Sequence, residues 1–117
     1  MMDFLKLIFN EMDIIYYRQG TMIDEVEPSE FFTYWNISDT DEYADNVPSI
    51  LLKEYRVYLY VHSTKLLENE NYLSDTMNDF KQRARGYGLV VASVQDINSG
   101  LDNYLGKMCS VKFAQHE

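Results

Sequence analysis

Cysteine is nearly missing from this chain of 117 residues: Cys109 stands alone, so no internal disulfide can form. His62 and His116 are isolated from it and from each other in sequence, so the close His and Cys grouping of a zinc site is absent too. Cations are scarce. Ten Lys and Arg against nineteen Asp and Glu give a formal charge of -9, which repels a phosphate backbone and argues against non-specific nucleic-acid binding. No segment approaches the roughly 20 consecutive apolar residues that cross a bilayer. The start, Met1-Met2-Asp3-Phe4-Leu5-Lys6, lacks the basic region and long apolar run of a signal peptide. The expectation is a soluble protein made in the cytoplasm, with no membrane partner.

Catalytic signatures are equally thin. Nucleophile elbows, phosphate loops and dinucleotide fingerprints do not occur, and Gly86-Tyr87-Gly88 follows a helical pattern instead of opening one, which marks a helix stop. Asp39, Asp41 and Asp45 begin like a calcium loop, but Tyr43, Ala44 and Ile50 break the required spacing. Carboxylate pairs such as Glu25 with Glu27, or Asp39 with Asp41, arise by chance among nineteen acids. The chain is therefore read as having no catalytic residue, no metal site and no cofactor.

What the chain does have is apolar and aromatic content. Hydrophobic residues make up 46% and Tyr, Phe and Trp 15%, enough for one modest core and hence a single domain over residues 1-117. The clearest pattern is Glu54 to His62, where Tyr55, Val57, Leu59 and Val61 alternate with Glu54, Arg56, Tyr58, Tyr60 and His62. That period predicts a central antiparallel strand with one face on the core and one polar and aromatic. Phe31, Thr33, Trp35 and Ile37 alternate with Phe32, Tyr34 and Asn36, so both faces of a second strand carry rings. One face must cover the core, and the other must meet a loop, a helix or another subunit.

Phe4, Leu5, Leu7, Ile8 and Met12 predict a short N-terminal helix capped by Asp3. Ile14 to Tyr17 are strand formers, and residues 18 to 29 read as an exposed acidic loop. Ser38 to Glu42 read as a polar turn before Pro48, which belongs at a strand start or a bulge. Leu66, Leu73, Met77, Phe80 and Ala84 form one helical stripe, capped near Asn69 or Asn71 and ending at Gly86 or Gly88. Leu89 to Ile97 and Tyr104 to Phe113 complete the pattern as strands, the last with Leu105, Cys109, Val111 and Phe113 on one side and Cys109 as a buried structural thiol. The fold class is α+β: a mostly antiparallel sheet of four to six strands, a short N-terminal helix and one long helix packed on the sheet.

Ten tyrosines in an acidic chain fit two readings, packing at the core and its rim or a protein interface, where tyrosine is enriched, and both can hold for different tyrosines. Tyr34, Tyr43, Tyr58 and Tyr60, expected on or near exposed sheet faces, are the candidate interface residues. Asp45 and Asn46 join them in an arm between strands.

Phe31-Phe32-Thr33-Tyr34-Trp35, then Tyr43-Ala44-Asp45-Asn46, then the strand from Tyr55 to Val61, then a helix ending at Gly86 occur in an order that resembles the small tail-terminator and neck proteins of long-tailed bacteriophages. The resemblance spans roughly residues 30 to 113, and the acidic loop 21 to 29 has no counterpart in it. It implies a homo-oligomer, a hexameric ring at the head-proximal end of the virion tail that caps the tail tube, meets a head-completion or neck protein, and lets DNA pass without specific binding. It implies no catalysis. A ring that passes DNA favours a lumen that repels it, so Asp24, Glu25, Glu27, Asp39, Asp41 and Glu42 are the candidate lumen acids. Another head-tail connector component, a head-closure or tail-completion protein, is the alternative within this group. An acidic DNA mimic that inhibits a DNA-binding protein is the alternative from another class.

Overall fold

The computed structural model describes residues 2-18, 29-44, 47-98 and 103-116. In chain order these form α1 (Met2–Glu11), β1 (Ile15–Arg18), β2 (Glu30–Ala44), β3 (Val47–His62), α2 (Ser63–Glu68), α3 (Tyr72–Gly86), β4 (Val90–Ile97) and β5 (Tyr104–His116). The strands make one five-stranded sheet in the order β1-β2-β3-β5-β4. Only β1 and β2 run parallel; every other neighbouring pair is antiparallel. The architecture is the mostly antiparallel α+β sheet with a short first helix and a longer packed helix that the residue pattern predicts.

β3 holds the centre because its alternation suits burial on both sides of a sheet. Tyr55, Val57, Leu59 and Val61 are buried on the face that receives the helices. From α3 the expected stripe Leu73, Met77, Phe80 and Ala84 packs into the same core. α1 adds Leu5, Ile8 and Phe9. Phe9, which the spacing argument passed over, is completely buried, with its ring stacked 4.7 Å from Phe32 and 5.9 Å from Phe80. Leu7, counted on the apolar stripe, is instead 48% exposed. Asp3 is not the cap of α1 either, because the helix already includes Met2.

Leu66 belongs to a separate helix. α2 ends at Asn69, whose extended backbone (φ -148°) breaks the helical path, and its side-chain oxygen accepts a hydrogen bond from the Asn71 N–H at 3.1 Å. This local bond offers the chain a turn in place of another helical residue. α3 then runs with Asp75 in its first turn and Arg83 and Arg85 in its last, the arrangement the helix dipole favours. It stops at Gly86, and Gly88 takes a left-handed φ of 82° that a side chain would strain. Arg83 bridges Asp79 at 2.9 Å and Glu11 at 3.2 Å, tying α3 to α1, and the Tyr87 hydroxyl donates to Glu11 as well.

The largest departure from expectation is at Ser38 to Glu42, read as a polar turn. β2 continues straight through it to Ala44, with Asp39 opposite Lys53, Thr40 opposite Leu52, Asp41 opposite Leu51 and Glu42 opposite Ile50. Ile50, Leu51 and Leu52 supply strand-forming partners, and pairing overrides the weak local preference of Asp and Ser against strands. Two register shifts punctuate the hairpin. One skips Ile37, and the other skips Ser49 beside Pro48, which pairs with Tyr43 at the second position of β3, where a missing N–H is tolerated. A strand of 16 residues spans about 53 Å at roughly 3.3 Å per residue, which accounts for the 55 Å long axis.

Candidate interaction surface

The sheet has a second face, and its rings come from strands alone. Phe31 of β2, Tyr60 of β3 and Tyr104 of β5 form a separate buried cluster, with Tyr17, Tyr58 and Ile97 packed around it. Phe31 lies 5.0 Å from the Tyr60 ring, and it meets Tyr104 and Tyr17 edge-on at 5.6 Å and 5.9 Å. Tyr58 and Tyr60, two residues apart on one face, lie with rings 5° from parallel at 6.3 Å. Neighbouring rings on a sheet shield one another, and each such contact adds about 0.5–1.5 kcal/mol beyond area burial. No helical residue contributes to this cluster.

Packing is close at Gly106. A Cβ there would stand 3.0 Å from Ile97 Cγ1 and 3.2 Å from Tyr60 Cδ1, so those side chains would have to give by a few tenths of an ångström. Around the cluster the surface opens out: Ile15 and Trp35 are each 52% exposed. At the sheet edge where β1 ends and β2 continues, Trp35 of this face and Arg18, Tyr34, Asn36 and Tyr55, which the register puts on the helix side, line a depression of about 300 Å³. Charged groups share this face: by the register Glu54, Arg56 and Lys112 lie on the Tyr58 side of the sheet, with Lys112 3.9 Å from Glu54. The Thr33 hydroxyl is buried and, among the described residues, is the one such side-chain atom without a hydrogen bond of ordinary geometry. Burial raises the Tyr60 pKa, the nearby Thr33 hydroxyl draws it part of the way back, and Tyr58 adds to the rise.

The expected interface tyrosines divide. Tyr58 and Tyr60 come together on the strand-only face, but Tyr60 is a buried member of its cluster instead of an exposed contact. Tyr34 sits on the opposite face, half-buried against Phe9 and Tyr16 at ring distances of 6.5 Å and 6.4 Å. Its role there is core packing. Tyr43 pairs with Pro48 near the end of the β2–β3 hairpin, and Asp39, Asp41 and Glu42 occupy register positions of β2 opposite Lys53, Leu51 and Ile50. Asp24, Glu25, Glu27, Asp45 and Asn46 lie outside the described residues. The exposed large apolar residues beside the cluster that the tyrosine argument did not name are Trp35 and Ile15. The double aromatic alternation of residues 31 to 37 carried the signal for Trp35, while Ile15 lies in a four-residue strand too short to show a period.

The remaining reactive groups have structural partners. His62 caps α2: the Thr64 N–H donates to its Nδ1 at 3.2 Å. Its ring meets Tyr104 edge-on at 5.1 Å. Cys109 is buried in the helix-side core, as expected, and burial pushes its thiol up to about 12. The Tyr72 hydroxyl donates to Glu30, and burial followed by that carboxylate pushes its pKa up to about 12. Among the described residues no group of three or more His, Cys, Asp or Glu is placed to hold a metal ion. No described helix is long and apolar enough to cross a membrane. Comparison with protein-family models gives no match, and neither does comparison with curated proteins.

Proposed function

We propose that this chain is a structural virion protein of a long-tailed bacteriophage, a tail terminator that assembles as a ring on the head-proximal end of the tail tube and joins the tail to the neck. Its role is non-catalytic. The observation that carries this reading is that three of the four stretches behind the phage resemblance, as far as they are described, fall on one hairpin, while the fourth is α3. Phe31 to Trp35 lie in register against Tyr60 to Arg56, and Tyr43 and Ala44 sit at the far end, opposite Pro48 and Val47. That hairpin is long for the chain. A compact domain of this length has a radius of gyration of about 13 Å, whereas this one has 15.6 Å with a 55 Å long axis. A protruding sheet with one strand-only aromatic face suits a molecule whose work is to lie against other proteins.

The test is negative-stain imaging of purified protein mixed with tail tubes of the same phage. Rings seated at one end of tubes of uniform length support the terminator. Binding to filled heads without binding to tubes would move the assignment to a head-closure component. Failure to bind either would overturn the neck reading.

A further inference from the structure

The sheet order β1-β2-β3-β5-β4 leaves two outer strands. β1 is four residues long, and so short an edge offers little for another strand to pair with. β4 has eight residues, and among the described residues it borders a strand only on its β5 side. Its sequence, Val-Val-Ala-Ser-Val-Gln-Asp-Ile, is rich in strand formers and holds no proline, no glycine and a single charge. Val90 is 60% exposed and Val94 38%. A run of this kind on an open edge is the pattern that pairs with its own copies. Charge does not stand in the way, because Lys107 bridges Asp96 at 2.6 Å.

The backbone does stand in the way. Ala92 pairs with Ser110 and Gln95 with Met108, so Ser93 and Val94 together face the single residue Cys109. Ser93 takes a φ of 57°, a left-handed conformation that costs a serine energy and that this kind of bulge usually gives to glycine. A bulge bends and twists its strand, so the outward N–H and C=O groups of β4 do not form one straight row. Removing Ser93 alone would restore the row: Val90, Val91, Ala92, Val94, Gln95, Asp96 and Ile97 would meet Lys112 to Gly106 one for one. Side chains would then alternate without a break, with Val94 on the side of Val91 and Asp96. A regular apolar edge is thus one residue away, and the chain holds the extra residue at an unfavourable φ.

We propose that the Ser93–Val94 bulge guards the edge of the sheet, keeping β4 of one copy from pairing with β4 of another. The proposal does not depend on the ring reading, since the guard is judged against whatever mass the wild type has.

The experiment compares the full chain with three variants by light scattering across a concentration series, with a melting curve for each. The first lacks Ser93. The second carries Ser93→Gly, which keeps the bulge and relieves its φ. The third lacks Ser93 and also carries Ala92→Lys, which puts a charge at an exposed position of the restored edge. The Ser93 deletion should grow beyond the wild-type mass at concentrations at least about tenfold lower than any such growth of the wild type, since a factor of ten matches the net strength of about one hydrogen bond. Ser93→Gly should keep the wild-type mass and melt no lower, and Ala92→Lys should return the deletion variant to that mass. A deletion variant that melts cooperatively and keeps the wild-type mass overturns the proposal. Growth that Ala92→Lys leaves unchanged overturns it too, because such growth does not run through the edge. Loss of the melting transition on deletion would make the bulge a requirement of folding instead of a guard, which also overturns it.

Discussion

Cys109 shows how burial alone sets the chemistry of a residue. Its thiol, pushed up to about 12, stays protonated at neutral pH, and the thiolate is the reactive species. A small alkylating reagent is expected to leave Cys109 unmodified in the native protein and to modify it fully in denaturant; rapid native labelling would contradict the burial. The pH dependence follows from the same sign. Cys109 and Tyr72 have folded pKa values raised above their unfolded ones, so the stability tied to their neutral forms is complete below about pH 9. It is lost as pH rises toward 12, at up to about 1.4 kcal/mol per pH unit for the buried thiol. Denaturant midpoints measured between pH 7 and 11 should be level first and fall later, and a midpoint that rises above pH 9 would show the sign to be wrong. Gly106 makes a steric prediction. Gly106→Ala places a methyl 3.0 Å from Ile97 and 3.2 Å from Tyr60, and overpacking of this kind costs about 1–3 kcal/mol. An unchanged melting temperature would mean the strand-only face is looser than its ring distances indicate.

Helix α3 and strand β3 were legible at the scale of elements because each has a strong period and its burial matches that period. Phe80 is completely buried and packs against Phe9 and Phe32, so Phe80→Ala should destabilise the fold by about 3–5 kcal/mol, measured by chemical unfolding. A change below 1 kcal/mol would remove α3 from the core. Phe9 was not legible, since Leu5 and Ile8 already filled the expected stripe and only packing reveals that the buried arc of α1 is wider. The outer half of β2 was hidden for a different reason. Asp39, Thr40, Asp41 and Glu42 carry the local chemistry of a turn, and the partner strand that overrides it lies some eleven residues further along the chain. The second aromatic face was half legible: residues 31 to 37 announced rings on both sides, but that Phe31, Tyr60 and Tyr104 bury one another depends on a sheet order that no local pattern contains.

Length and charge act together on the whole molecule. A net charge of -9 keeps copies apart wherever acids face acids, and raising salt screens that repulsion. The account's central claim, that this is an assembling structural protein, is tested most directly by the solution mass of the purified chain across a concentration series. The predicted result is one closed species at a fixed multiple of 13.8 kDa, unchanged over a wide range of concentration. A mass of 13.8 kDa at every concentration, or a mass that climbs without limit, would contradict it.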